Sequence, residues 1–513
     1  MIISFLKKFL LISLFFIGYS NSQTITPDRY GLNSFDTAQI KKDLSFLASD
    51  SLKGRSTPGP ELNSAADYIA NKFKSFGLKP VNKVYSQIVK MGYISLADNN
   101  SLIIKSENGE DNYLIKKDFT PFEMTGNKSA IAPVVFAGYG IDAPEYHYND
   151  YTNINVKDKI VFVLRHEPGE KDSASVFNGV GLTKYSSLDE KVKTAIKYGA
   201  AGIMVAQDPL NHILLSPVGY PWPSLSKVIP NDILPLSLLE DRDKKVPVVQ
   251  VGEKVIDRLF GSTENLKNIQ YEIDKNLRPN SFELKDFTAS IKTSLKISET
   301  DSKNVVGYIE GSDPDLKDEV IIIGAHYDHI GIKKNHKKDE DYIFNGADDN
   351  ASGTAALMAI ASAFGKSGIK PKRSILFIAF CGEEEGLLGS SYYTWHPLFP
   401  IEKTVAMLNL DMVGRNDIDS LFVYGCKDNP RMTKNIINAN SHVNFSLTFR
   451  DKIKNGDSDH SSFRKYGITA VCFHSGTHAD LHKVTDESNK INYEKVKRAA
   501  KLVYLTAVLL ADN

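Results

Sequence analysis

Cysteine is scarce in this chain. Its 513 residues include three, Cys381, Cys426 and Cys472. An odd and sparse set excludes a disulfide framework. With no C-x-x-C pair there is also no thiolate metal or redox motif. Cys381 and Cys472 close apolar runs and read as buried small hydrophobes. Charge of one sign is equally absent, because 62 Lys and Arg offset 62 Asp and Glu. Without a cationic face, no nucleic-acid partner and no polybasic grip on a membrane is expected. There is no internal repeat and no low-complexity tract. What remains is a globular composition, 42% hydrophobic and 24% charged, long enough for two or three domains at roughly 150 residues each.

Long apolar runs are limited to the start of the chain. Lys7 and Lys8 precede an apolar run of 11 residues, 9–19, which gives way to Ser20, Asn21 and Ser22. A membrane-spanning helix needs roughly 20 apolar residues, so residues 1–22 read as a secretory signal peptide cleaved after Ser22, with an uncleaved N-terminal anchor as the alternative. No cysteine stands there to carry a lipid. The expectation is an exported protein, periplasmic or secreted, with no stable membrane insertion after cleavage. The mature chain then carries 60 basic against 62 acidic side chains.

Three textures follow. In residues 61–76 the apolar positions Leu62, Ala65, Ala66, Ile69, Phe73 and Phe76 recur at spacings of three and four, which predicts one buried helical face with Gly77 as a stop. From about 125 to 272, short apolar runs at 134–136 and 160–164 predict strands. A helix at 188–198 then leads into a buried strand near 199–205. This stretch reads as a small α/β module without catalytic residues, and its histidines, His147, His166 and His212, read as too scattered for a site. From about 287 onward, apolar runs at 320–323, 375–380, 405–410 and 468–473 alternate with helical stretches such as 352–364. That alternation predicts a mixed, largely parallel central sheet with helices on both faces.

Nine of the 12 histidines lie beyond residue 320, and polar residues cluster where these runs end. His326 and Asp328 follow the first run, Glu383, Glu384 and Glu385 the second, and Asp411 the third. Asp348 and Asp349 precede the helix, and the last run feeds His478, Asp480 and His482. In open α/β sheets sites form beyond the carboxyl ends of strands, so the five groups converge. Singly, an Asp pair also reads as a helix cap, a Glu triplet as a solvated face, and His326 as a structural histidine. Together they form an imidazole and carboxylate set that suits zinc or a similar divalent ion. So many carboxylates repel one another unless cations neutralise them. Two divalent ions sharing a carboxylate and a water form a hydrolytic clamp.

These residues resemble the M28 family of dizinc metallopeptidases, which includes many aminopeptidases. The matching stretches are Gly324-Ala325-His326-Tyr327-Asp328-His329, Asn345-Gly346-Ala347-Asp348-Asp349-Asn350-Ala351-Ser352-Gly353, Gly382-Glu383-Glu384-Glu385-Gly386, Asn409-Leu410-Asp411-Met412-Val413-Gly414, Ser458-Asp459-His460, and His478 to His482 with Asp486. Leu47-Ala48-Ser49-Asp50-Ser51-Leu52-Lys53-Gly54-Arg55 resembles an N-terminal signature of exported bacterial members. The middle module resembles a protease-associated domain. The implied division is a peptidase domain in two parts, 23–124 and 276–513, around a protease-associated-like domain at 125–275.

The resemblance implies two zinc ions, for which cobalt or manganese can substitute. It implies Asp348 as the bridging ligand, His326 and Asp411 on one metal, and Glu384 and His482 on the other. Glu383 is then the general base and Glu385 a spacer. Asp328 is expected to hold the far nitrogen of His326, and Asp349 to follow the bridge across a cis peptide. No tyrosine is assigned as oxyanion donor. The implied activity is removal of the N-terminal residue from peptides with a free N-terminus. A carboxypeptidase or a glutaminyl-cyclase-like enzyme on the same scaffold, and a non-catalytic binding protein, are the alternatives.

Overall fold

The structure is a computed structural model. It describes residues 31–512 apart from 178, 215–217, 219–231, 240–244, 369, 427–428, 452 and 454–456. The signal peptide read in residues 1–22 lies outside the described residues. Among the described residues no helix is long and apolar enough to cross a membrane.

Four parallel strands form the centre of a nine-stranded sheet: β1 (Val320–His326), β2 (Ser374–Phe380), β3 (Thr404–Leu410) and β4 (Ala470–His474). They stand in the order β2-β1-β3-β4. Every residue of β1, β2 and β4 is buried, as near-continuous apolar runs require when helices cover both faces. The flanks are antiparallel. Leu295–Ile309 pairs β2 on one side, and Ser420–Tyr424 pairs β4 on the other. The sheet is therefore mixed, with its parallel pairs concentrated where the polar residues emerge.

Helix α1 (Gly353–Lys366) and the C-terminal helix Tyr493–Asp512 pack in the largest core cluster. So does Pro60–Ser75, which begins with Pro at its first turn. Its residues Leu62, Ala65, Ala66, Ile69 and Phe73 are all buried, the face that their spacing predicts. Burial of each large aliphatic or aromatic side chain is worth about 1.5–3 kcal/mol. Gly77, at φ 82°, ends the helix in a left-handed conformation that costs glycine little.

A second, eight-stranded sheet has Ser129–Phe136, Ile160–Leu164, Gly202–Ala206 and Val248–Val251 as parallel neighbours. The helix Leu188–Lys197 connects two of them. This sheet also takes Ser101–Ser106, Gly109–Tyr113, Phe119–Pro121 and Phe282–Lys292, all from outside the expected 125–275. Gly109–Tyr113 and Phe119–Pro121 are its two edges, while Ser101–Ser106 and Phe282–Lys292 each pair on both sides, so their membership follows from pairing rather than from composition. Conversely Ser237–Leu238, within 125–275, pairs with Ser86–Leu96 in the first sheet.

Candidate metal centre

The carboxyl ends of β1, β2 and β3 deliver His326, Glu383 and Asp411 to one place, where their ligating atoms lie within 4.8 Å of one another. His326 closes β1, and its carbonyl accepts a hydrogen bond from Thr354 Oγ1 at 2.7 Å. Asp411 follows β3 directly, its N–H bonded to Phe473 O of β4 at 3.1 Å. Glu383 and Glu384 follow β2 after Gly382, whose φ of 67° turns the chain back over the sheet. His326 Nε2 stands 3.4 Å from Asp411 Oδ1 and 4.0 Å from Glu383 Oε2.

The carboxylate shared between the two halves of the site belongs to Asp349. Its Oδ1 is 3.4 Å from His326 Nε2, and its Oδ2 is 3.1 Å from His482 Nε2. His482 Nε2 is also 3.1 Å from Glu384 Oε2. Asp348, expected there from the motif, points elsewhere. Its Oδ1 accepts the N–H of Gly414 at 2.7 Å and its Oδ2 faces His478 Nε2 at 3.2 Å. The reason is local backbone geometry. Asp349 (φ −102°, ψ 96°) and Asn350 (φ −129°, ψ 45°) break the helical turn, so the side chains of Asp348 and Asp349 leave on different sides. The cis peptide accordingly follows Asp349, at Asp349–Asn350, rather than Asp348. Asn350 pins the turn to the end of β3, donating to Leu410 O at 2.9 Å and accepting from Gly353 N at 2.9 Å. The N–H groups of Asp348 and Asp349 both donate to Asp486 Oδ2.

Asp328 is fully buried behind His326, with Oδ1 3.7 Å from Nδ1, an ion-pair separation rather than a hydrogen bond. It accepts the Glu383 N–H at 3.2 Å and the Thr57 hydroxyl at 3.1 Å. One residue thus supports both the imidazole and the carboxylate expected to act as base.

Three supporting groups had no assigned role in the sequence reading. His329 Nδ1 is 2.6 Å from Glu384 Oε1. It stands three residues after His326, a histidine pair that is visible in the motif. Thr57 hydroxyl links Asp328 to Gly382 N. Arg55, wholly buried, donates to the carbonyls of Leu47, Tyr327, Asn345 and Gly346, so it ties both ligand-bearing loops to the N-terminal region. Burial lowers its guanidinium to about 10, offset by the nearby Asp328 and Asp349.

Electrostatically the protein alone is under tension here. Burial pushes the Glu383 carboxyl well above the usual range, against the pull of His326. Asp349 is also buried, yet its hydrogen bonds with His326 and His482 hold it well below that range. The same contact with Asp349, with help from Glu384, raises His482 to about 10. Asp411 Oδ1 and His326 Nδ1 are buried without a hydrogen-bond partner. Four ligands at 2.0–2.1 Å around zinc stand roughly 3.3–3.4 Å apart, and the separations around Asp349 are 3.1–3.4 Å. Imidazoles and carboxylates at this spacing fit divalent cations.

An α/β sheet with such a donor set at its strand ends defines a metal-centre class of protein. Residues 304–507 match the family model described as Peptidase family M28. It is 24% identical over 430 residues to the glutamate carboxypeptidase 2 homolog of Caenorhabditis elegans, covering 75% of this chain and 52% of the other. It is 27% identical over 232 residues to aminopeptidase YwaD of Bacillus subtilis, covering 42% and 46%. An aminopeptidase structure from Aneurinibacillus sp. strain AM-1 superposes with a TM-score of 0.47 at 22% identity, over 94% of this chain and 96% of that one. The chain spans about half the length of the curated relatives it matches.

Proposed function

We propose that this protein is an exported zinc aminopeptidase with two metal ions. The observation that carries the reading is the Asp349 carboxylate, which offers one oxygen to each half of the cluster. In this reading His326 and Asp411 hold one ion, Glu384 and His482 the other, and Asp349 both. When bound, such ions acidify a water and polarise a carbonyl oxygen. Glu383, whose Oε2 lies 4.0 Å from His326 Nε2, is assigned here as the base rather than as a ligand. It takes a proton from the attacking water at Oε2 and returns it to the leaving nitrogen. Asp328 fixes the Glu383 backbone for that exchange. His482 is half exposed, which leaves its side of the cluster open to an incoming peptide.

A carboxypeptidase is the second reading, and one feature favours it. A cavity of ≈ 500 Å³ adjoins the end of β4, lined by Phe422, Tyr424, Arg450, His474 and Thr477 among others. Arg450 would meet a substrate carboxylate there. Hydrolysis of leucyl-p-nitroanilide by the zinc-loaded mature protein, beside its N-acetylated twin and an N-acetyl dipeptide with a free C-terminus, separates the two. Cleavage of the free amine alone supports the aminopeptidase. Cleavage of the dipeptide alone overturns it in favour of the carboxypeptidase.

A further inference from the structure

Beyond the strand ends of the first sheet, one other group among the described residues gathers metal-ligating side chains: His166, Glu170, Asp208 and His212. It lies in the second α/β unit, outside the residues that match the peptidase family. Its placement repeats the logic of the first cluster. Ile160–Leu164 and Gly202–Ala206 are parallel neighbours, with Leu164 opposite Ala206. The pairing continues through Arg165 N to Ala206 O at 2.9 Å. Just beyond the carboxyl ends of both strands, each chain presents a histidine and an acid four residues apart. His166 and Glu170 follow the first strand, Asp208 and His212 the second. His166, at φ 55°, turns its loop away from the sheet, and Lys171 Nζ reaches across to Asn211 O at 2.9 Å.

The four side chains close a ring in which two imidazole nitrogens meet both oxygens of two carboxylates. His166 Nδ1 is 2.6 Å from Asp208 Oδ1, and His212 Nε2 is 2.5 Å from Glu170 Oε1. The cross separations are 3.8 Å from His166 Nδ1 to Glu170 Oε2 and 3.6 Å from His212 Nε2 to Asp208 Oδ2. The imidazole rings stack at 4.0 Å. One atom in this ring is left over. Asp208 is fully buried, and its Oδ2 has no hydrogen-bond partner while facing His212. A buried anionic oxygen without a donor is costly. A dication in the ring satisfies that oxygen and neutralises both carboxylates.

We propose that His166, Glu170, Asp208 and His212 form a second divalent-cation site that fastens together the two strand-end loops of this unit. Two imidazoles and two carboxylates select a borderline ion such as zinc over calcium or magnesium, which prefer all-oxygen shells. Four protein ligands complete a tetrahedral shell, the mark of a structural rather than a catalytic site. It therefore acts on the stability of the second unit and leaves peptide hydrolysis to the first cluster.

The test is zinc content per chain, measured on the full mature protein after zinc loading and gel filtration. The variants His212→Gln and His166→Gln, each confirmed folded by circular dichroism, are expected to hold one zinc fewer than wild type. They are also expected to lose the part of the zinc-dependent rise in Tm that the second unit supplies. Because the readout is a difference, it does not depend on how many ions the first cluster holds. Equal zinc content in wild type and both variants overturns the proposal. Should neither variant fold, zinc-edge anomalous scattering from wild-type crystals decides. A peak between His166 and Asp208 supports the site, and its absence in crystals that carry zinc at His326 overturns it.

Discussion

Asp348 and Asp349 are neighbours in the chain and face opposite ways. Asp349 turns its two oxygens toward His326 and His482. Asp348 turns toward the backbone N–H of Gly414 and the ring of His478. The first faces the cluster, and the second fastens the loop that carries it.

Asp348→Ala is therefore expected to weaken folding rather than to empty the site. A buried carboxylate that accepts a backbone N–H contributes about 1–3 kcal/mol. Chemical denaturation measures that loss. Bound zinc is expected to stay at the wild-type stoichiometry, with turnover within about tenfold, because Asp348 lies outside the proposed ligand set and acts through position alone.

Glu383→Gln is expected to keep its metal and lose turnover by about 10²–10⁴-fold, the usual contribution of a positioned acid–base group. Glu384→Gln is expected to lose metal. Steady-state rates with metal analysis on both variants check the register of the glutamate triplet. Near-normal turnover in Glu383→Gln contradicts the base assignment.

Arg55→Met removes a buried cation that holds four carbonyls on three segments. The expected cost is on the order of 3–5 kcal/mol, the scale for breaking a buried charged network. Arg55→Lys should not rescue it, because one ammonium cannot fork to carbonyls on both sides. Thermal unfolding of the two variants tests this.

His460 supplies a pH dependence of its own, outside the proposed ligand set. Burial lowers its imidazole from 6.5 to about 4. The unfolded chain therefore binds the proton more readily than the folded one. This histidine's share of stability is complete above pH 6.5 and is lost as pH falls toward 4. A difference of that size corresponds to roughly 3 kcal/mol. Denaturation midpoints of wild type and His460→Gln should converge across that window, and parallel profiles would contradict the assignment.

Much of the fold was legible because β1 to β4 are apolar runs with polar residues at their ends. That pattern placed His326, Glu383, Glu384 and Asp411 on one side of the sheet before any coordinates. The register of Asp348 and Asp349 was not legible, since it depends on two non-helical residues at the turn, Asp349 and Asn350. The edge strands of the second sheet were hidden for a similar reason. A polar strand such as Gly109–Tyr113 declares itself only through its partner. The group at His166 was missed because its halves lie 42 residues apart. The available signal was a His and an acid four apart, directly after each of two buried strands.

The central claim is that Asp349 is shared by two ions. Zinc content of the wild type and of Asp349→Ala, loaded and desalted side by side, tests it most directly. The expected result is two fewer zinc ions per chain in the variant, with hydrolysis of leucyl-p-nitroanilide lost. An Asp349→Ala protein that is folded, holds as much zinc as the wild type and still turns over would contradict it.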